Sequence, residues 1–233
     1  MIVRHFGQEL GTMYDLRLRF PFSWIVCGGS GSGKTTHVLN FLSQFYTLVA
    51  NEPKCRNIIY YYNHWQPAFT EFEKQNIITH WVQGVPTLED ISERVNPFTE
   101  HGGSMVIIDD FAHMLPPTIT ELFTVVSHHA NCGVILLSQN LFEKNPVFRQ
   151  ISLNSTYFSV FKNPRDGMQI AAFARQLNPT NWKFIIDSYK EATKKPHTYL
   201  FFDNHQKTCD ELRIRSNILP HEAPMRIWVP KNP

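Results

Sequence analysis

Short apolar runs alternate along the chain with longer segments in which apolar residues recur every three or four positions. The short runs predict strands buried on both faces, because such strands have no polar side. The longer segments predict amphipathic helices. The predicted strands are Trp24–Cys27, Ile58–Tyr62, Ile78–Val82, Met105–Asp109, Val134–Ser138, Tyr157–Phe161 and Tyr199–Phe202. The predicted helices are Lys34 to about Tyr46, Ala68–Gln75, a segment capped by Thr87, Thr118–His129, Met168–Gln176 and Asn181–Ala192.

Strands and helices that alternate in this way indicate an α/β fold with a mostly parallel central sheet flanked by helices. We predict one such domain over residues 21–219. Residues 1–20 are expected to form an N-terminal extension, and residues 220–233, where prolines recur, an irregular tail. Leu212–Ile214 is expected to pair at an edge of the sheet.

A glycine-rich loop, GGSGSGKT at residues 28–35, joins the first of these predicted strands to the first helix and matches the pattern G-x-x-x-x-G-K-[ST]. Its glycines let backbone N–H groups approach phosphate oxygens, and the helix N-terminus adds partial positive charge. We expect Lys34 to reach the β- and γ-phosphates of a nucleotide and Thr35 to bind Mg²⁺. Thr36 is either an ordinary helix residue or a neighbour of the α-phosphate. The residues expected to bind nucleotide are Gly28, Gly29, Ser30, Gly31, Ser32, Gly33, Lys34, Thr35 and Thr36.

A second candidate part of the site follows the apolar run Met105–Ile108, which ends in the two carboxylates Asp109 and Asp110. P-loop proteins hold the Mg²⁺ water shell with an Asp at the end of a buried strand, so we assign that role to Asp109. Asp110 is then the expected general base that polarises the attacking water. The next strand ends near Gln139, which is expected to sense the γ-phosphate or orient water, with an ordinary strand-end amide as the alternative.

The distance between loop and carboxylates leaves room for one or two extra strand–helix units. This spacing indicates a P-loop NTPase of the additional-strand class. Together with the polar residue that closes the strand after Asp109, it favours hydrolysis coupled to motion over a small-molecule kinase. Strand aromatics such as Tyr60 are expected in the core, with stacking on a nucleic-acid base as the alternative.

Composition narrows the function classes. The 22 Lys and Arg exceed the 20 Asp and Glu by only two, which excludes a histone-like basic protein. The four cysteines are far apart, which argues against a disulfide scaffold or a zinc ribbon. The apolar runs are too short to span a bilayer, and the N-terminus lacks a signal-peptide core, so a soluble intracellular protein is expected. Residues 1–140 carry net −4 and residues 141–233 net +6, so an anion-binding face is expected in the second half.

Taken together, four motifs resemble the FtsK–HerA superfamily of ring-forming P-loop ATPases. Within it they look most like the genome-packaging ATPases of large DNA viruses: the poxvirus-type enzyme and its relatives in Maverick/Polinton elements, adintoviruses and virophages. The resemblance covers roughly Phe22 to Phe202. The motifs that carry it are Gly28–Thr35, Val106–Asp110, Ile135–Asn140, and Ser152–Ser155 running to Phe161–Asp166.

This resemblance implies an ATP- and Mg²⁺-dependent pentameric or hexameric ring that moves double-stranded DNA without sequence specificity into a viral capsid. It also implies capsid proteins as partners, no membrane partner, and a location at the viral assembly site in host cytoplasm or nucleus, or with the virion. It further implies an arginine finger supplied to the neighbouring subunit, for which Arg149 and Arg165 are the candidates. Many superfamily members carry Glu at the position of Asp110.

A translocating ring would contact DNA phosphates with Lys and Arg side chains. The candidates are Lys190, Lys194, Lys195, Lys207, Arg213 and Arg215, with a solvated charged face as the alternative. Two other function classes stay open. One is a P-loop kinase with an arginine-rich lid, for which only Pro164–Arg175 could serve. The other is a non-hydrolysing protein whose ATP holds an assembly together.

Overall fold

The computed structural model describes residues 2–5, 15–50, 55–165 and 167–230. Within these ranges, ten strands form one mixed sheet in the order β1-β12-β11-β10-β9-β3-β8-β7-β5-β6, while β2 and β4 pair separately. The strands are β1 Ile2–His5, β2 Leu18–Arg19, β3 Ser23–Cys27, β4 Val49–Ala50, β5 Asn57–Tyr62, β6 His80–Gln83, β7 Ser104–Asp109, β8 Cys132–Ser138, β9 Tyr157–Phe161, β10 Tyr199–Asp203, β11 Ile214–Ser216 and β12 Arg226–Val229.

Helices flank the sheet, and none in the described part of the chain combines the length and hydrophobicity that crossing a bilayer requires. They are α1 Lys34–Ser43, α2 Phe45–Leu48, α3 Pro67–Lys74, α4 Leu88–Val95, α5 Ser127–His129, α6 Pro146–Asn154, α7 Gly167–Leu177 and α8 Trp182–Ala192. The helix predicted from Thr118 to His129 is instead a helical run of mixed type. It passes from a 3₁₀ turn, Pro117–Ile119, through a π-helical segment, Leu122–Val126, into α5.

Six neighbouring strands, from β9 to β6, run parallel. β8 lies between β3, which precedes the glycine loop, and β7, which ends in Asp109. This is the additional-strand arrangement that the spacing predicts, so the predicted α/β P-loop fold is confirmed. Since the carboxyl ends of parallel strands meet at one edge, the topology brings both motifs to the same place.

The core has two layers because the parallel strands are covered on both faces. Trp24 and Val26 of β3 belong to the hydrophobic cluster on one side, with the buried face of α1. Ile25 and Cys27 belong to the cluster on the other side, with α4, α6, α7 and α8. Continuous apolar strands are therefore required here, and every residue of β3, β7, β8 and β9 is buried.

Beyond β9 the sheet continues as four antiparallel strands, and here two predictions are wrong. β11 lies inside the sheet between β10 and β12, so the region of Leu212–Ile214 is not an edge. Part of the tail expected to be irregular forms β12, which pairs with both β11 and β1. Residues 1, 6–14 and 231–233 of the predicted extension and tail lie outside the described residues.

The sequence pattern misses helix α6 although its start is well marked. Pro146 occupies the first turn, where a missing N–H costs nothing, and the Asn145 side chain caps the helix by accepting from the Val147 N–H at 3.0 Å. Helix α4 begins where predicted, because the Thr87 hydroxyl accepts from the backbone N–H of Asp90 at 3.2 Å.

Candidate active site

Three strand ends meet at one edge of the parallel sheet. The register pairs Cys27 with Ser138 and Asp109 with Leu137, so β3, β8 and β7 end at the same level. The Gly28 N–H donates to the Ser138 carbonyl at 3.1 Å, which ties the start of the glycine loop to the end of β8. The loop, the carboxylate pair and the polar end of β8 therefore form one cluster.

Glycine is required in the loop for two reasons. Gly31 and Gly33 have φ of 71° and 99°, a region that strains other residues. At Gly28 a Cβ would lie 2.6 Å from the Phe161 Cβ, so a side chain there would clash. The Ser32 hydroxyl is buried and has no hydrogen-bond partner among the described residues. A phosphate oxygen would satisfy such a donor, so the loop fits an anionic ligand.

The Lys34 ammonium lies across this loop and donates to the carbonyls of Gly28 at 2.7 Å and Gly29 at 3.1 Å. Burial lowers the pKa of Lys34, and the charge of Asp109 opposes that shift. Lys34 thus lies between the loop and the carboxylates, with its charge available to a phosphate.

Asp109 is buried and accepts two hydrogen bonds on Oδ2, from the Thr35 hydroxyl at 3.2 Å and from the Tyr60 hydroxyl at 2.8 Å. Burial raises the pKa of the Asp109 carboxyl, and these two hydrogen bonds oppose the rise. A hydroxyl and a carboxylate are the hard oxygen ligands that Mg²⁺ prefers, and Mg²⁺ is usually held by one or two carboxylates together with substrate phosphates. Thr35 and Asp109 therefore fit this cation, as the sequence predicts for them.

Asp110 and Gln139 contact each other. The Gln139 side-chain N–H donates to Asp110 Oδ1 at 2.9 Å, and both residues are exposed. Asp110 has φ of 66°, which turns the chain sharply at the end of β7. The predicted base and the predicted γ-phosphate sensor thus form one pair beside Asp109, while their roles stay predictions.

A cavity of about 580 Å³ opens beside the loop. One wall consists of residues 31–35 of the loop and the exposed Thr36. Apart from Phe161, the residues of the other wall belong to no motif of the sequence. The lining residues from outside the loop and α1 are Gln66, Phe161, His197, Leu219, His221 and Glu222. The segment that leads into the tail therefore completes this site. No motif signals that role, because it depends on where the antiparallel strands place the segment.

The two arginine-finger candidates lie on different elements. Arg149 is exposed on α6, and Arg165 is exposed in the turn that follows β9. Neither side chain forms an ion pair within the described part of the chain. Asp166, the last residue of the motif around Arg165, lies outside the described residues.

The six DNA-contact candidates do not form one cluster. Lys190, Lys194 and Lys195 are exposed and precede β10. Because β10 runs antiparallel to β9, its start lies at the same edge of the sheet as the glycine loop. Lys207 and Arg213 follow β10 and lie at the opposite edge. The prediction for Arg215 is wrong: it is 1% exposed, and its guanidinium pairs with the buried Asp203.

No protein-family model and no curated protein matches this sequence. The fold is similar to that of the cytoplasmic domain of the Type VII secretion ATPase EccC from Thermomonospora curvata, at 14% identity and a TM-score of 0.53. The alignment covers 89% of this chain but only 25% of the EccC chain. The N-terminal domain of zonular occludens toxin from Neisseria meningitidis aligns at 14% identity and a TM-score of 0.39, over 63% of this chain and 79% of that chain. The likeness to EccC shows the P-loop NTPase fold.

Proposed function

We propose that this protein is an Mg²⁺-dependent ATPase that works as a DNA-translocating motor of the FtsK–HerA type. The observation that carries the proposal is the meeting of the glycine loop, Asp109 and the Asp110–Gln139 pair at one sheet edge. A nucleotide-binding loop alone would serve many functions. A carboxylate and an amide held in contact beside it offer the groups that position a water molecule for hydrolysis.

Each residue has a distinct role in this proposal. Lys34 and the loop N–H groups hold the phosphates, and Thr35 and Asp109 hold Mg²⁺. The bound cation neutralises charge on the phosphates during transfer. Asp110 accepts a proton from the attacking water, and Gln139 keeps that carboxylate oriented while sensing the γ-phosphate. Arg149 or Arg165 of a neighbouring copy adds positive charge to the same phosphate.

The cargo in this proposal is double-stranded DNA, and the setting is packaging into a viral capsid by a homo-oligomeric ring of five or six copies. Its support is the set of motifs shared with packaging ATPases, which includes the stretch around Arg165. The exposed lysines at the site edge are available to bind phosphates without reading sequence. Capsid proteins are the proposed docking partners, at a viral assembly site inside the host cell or in the virion.

The kinase alternative needs a mobile arginine-rich lid, and the helical part of the candidate segment Pro164–Arg175 is packed against the core. Helix α7 buries Ile170 and Phe173 in the core. Arg175, which a lid would offer to phosphates, has its guanidinium stacked 4.0 Å from the Trp182 ring centroid. These contacts favour hydrolysis over transfer to a small acceptor.

Molar mass and turnover, measured on one preparation, test the proposal. Mass is read by light scattering with and without ATP, and phosphate release with and without duplex DNA, at 50 and 200 mM salt. We expect a ring whose turnover rises with DNA and loses that stimulation at the higher salt, because phosphate contacts release counterions. Lys34→Ala should assemble but not turn over.

Other outcomes would replace the motor. A monomer that releases phosphate only to a small acceptor would be a kinase, and an assembly without turnover would be a scaffold. A ring with turnover that DNA does not affect would instead point to a secretion-type motor, the class to which EccC belongs.

A further inference from the structure

Tyr60 reaches the metal-binding carboxylate from a neighbouring strand. It lies on β5, and the register places it opposite Ile107 of β7, two residues before Asp109. Its side chain is fully buried, and its hydroxyl donates to Asp109 Oδ2 at 2.8 Å. The ring is held by Trp81 and Phe69, with centroids at 5.0 and 5.2 Å. Tyr60 is therefore a rigid donor aimed at the end of β7.

Two hydrogen bonds converge on one carboxylate oxygen, because Thr35 also donates to Oδ2. No hydrogen bond to Oδ1 is formed from the described residues. Two hydrogen bonds to one oxygen fix the orientation of the carboxylate. Oδ1 then remains available to accept hydrogen bonds from the water shell of a cation. Partners of this kind determine how well a ligand binds its metal.

We propose that Tyr60 is a positioning residue for Mg²⁺: it orients Asp109 and thereby sets the affinity of the nucleotide site for the cation. The inference rests on the proposed function, because it takes Asp109 as an Mg²⁺ ligand. It goes beyond that function in assigning the donor on β5 that holds this ligand.

Tyr61 provides a matched control on the same strand. It is also buried, and its hydroxyl also donates to an aspartate, Asp90, on helix α4. Because neighbouring strand residues point to opposite faces, this hydroxyl lies away from the glycine loop. Tyr60→Phe and Tyr61→Phe each remove one hydroxyl bonded to a carboxylate, and only the first removes it from the proposed metal site.

The experiment measures metal binding apart from turnover. Mn²⁺ is titrated into wild type and both variants with a non-hydrolysable ATP analogue, and free Mn²⁺ is followed by electron paramagnetic resonance. Affinity for a fluorescent ATP analogue is measured in EDTA. For Tyr60→Phe we expect Mn²⁺ affinity to fall by about tenfold or more. Nucleotide affinity in EDTA should stay within about twofold, and Tyr61→Phe should match wild type in both measurements.

Equal Mn²⁺ affinity in Tyr60→Phe and wild type would overturn the inference. So would an equal loss in Tyr61→Phe, or a loss of nucleotide affinity in EDTA as large as the loss for Mn²⁺, since both indicate general destabilisation. A wild-type protein that binds Mn²⁺ and nucleotide without turnover would contradict the proposed hydrolysis but leave the expected Tyr60→Phe shift intact. A wild type that binds no Mn²⁺ with nucleotide would overturn both.

Discussion

The parallel and antiparallel halves of the sheet differ in how they use charged residues. In the parallel half, Lys34 begins α1, and Asp109 and Asp110 lie at and just after the end of β7, all at the glycine-loop edge of the sheet. In the antiparallel half, Arg215 and Asp203 pair inside the core. Charges at the glycine-loop edge stand beside a cavity that a ligand can enter, whereas the charges of Arg215 and Asp203 must neutralise each other because burial without a partner is costly.

The two halves nevertheless share one site. The cavity beside the glycine loop has one wall from that loop and α1 and another from His197, Leu219, His221 and Glu222, which flank the antiparallel strands. The parallel half therefore supplies the groups that we propose to act on phosphate, and the antiparallel half shapes the space beside them. This division can be tested by changing residues of each half and asking whether rate, stability or affinity responds.

The largest expected effect concerns the arginine finger, which in our proposal comes from a neighbouring subunit and not from either half of the same chain. Arg149→Ala or Arg165→Ala, but not both, should lower turnover by about 10³- to 10⁵-fold, because an arginine finger stabilises the transferring phosphoryl group. Phosphate release with saturating Mg²⁺ and ATP is the measurement. Arg175→Ala is the control and should keep near-normal turnover, since this side chain stacks on Trp182.

An experiment that mixes two inactive variants tests whether the arginine acts between copies. The inactive arginine variant has an intact loop, and a Lys34→Ala copy has an intact arginine, so mixed rings should regain part of the activity. Failure of mixtures to recover, with assembly unchanged, would show that the arginine acts within its own subunit.

Breaking the buried ion pair should affect stability alone. Arg215→Ala leaves Asp203 charged and buried, which costs about 3–5 kcal/mol of unfolding free energy. Urea unfolding measures this. The control is Lys194→Ala, which loses a surface pair with Glu191 and should cost no more than about 1 kcal/mol. Unchanged stability in Arg215→Ala together with weaker DNA binding would restore Arg215 as a DNA contact.

How far the sequence predicts the structure also differs between the halves. Continuous apolar strands and the GGSGSGKT loop are local signals, so β3, β7 and β8 are found close to their true ends. In the antiparallel half the decisive partners are distant. Arg215 alternates as if on an exposed strand face, and its burial depends on Asp203 and on β12. The prolines of the tail predict irregular structure, yet Pro224 and Pro230 lie on either side of β12 and do not interrupt it.

In the site, too, the sequence predicts the local motifs but not the contacts between residues that are far apart in the chain. The positions of Lys34, Thr35 and Asp109 follow from motif and topology together. The contact of Tyr60 with Asp109 could not be predicted, because it requires β5 to lie beside β7 in one register. The cavity wall around His221 could not be predicted either, since it is formed by a segment about 180 residues away from the loop.

A smaller effect is expected where the antiparallel half meets the cavity. The His221 ring lies 3.0 Å from the Gln44 amide nitrogen and 3.4 Å from that of Asn40, and so holds its segment against α1. His221→Ala should weaken nucleotide affinity by up to about tenfold, the worth of one or two hydrogen bonds. Fluorescent-nucleotide titration measures this, with the exposed His129→Ala as control. Unchanged affinity in His221→Ala would show that the contact of His221 with α1 does not contribute to nucleotide binding.

The smallest expected effect separates the two edges of the sheet. Lys190, Lys194 and Lys195 follow one another closely at the glycine-loop edge. Lys207 lies at the opposite edge, where the guanidinium of Arg213 is bound to Asp210 and two backbone carbonyls. Grouped cations bind a DNA backbone better than isolated ones.

Lys195→Ala should lower the slope of log affinity against log salt by about one, since it removes one phosphate contact, and Lys207→Ala should leave that slope unchanged. Lys194 is already paired with Glu191, so its replacement should have less effect than that of Lys195. Duplex binding measured across a salt series checks this. The opposite ranking would mean that DNA lies against the edge of the sheet away from the nucleotide, not against the glycine-loop edge.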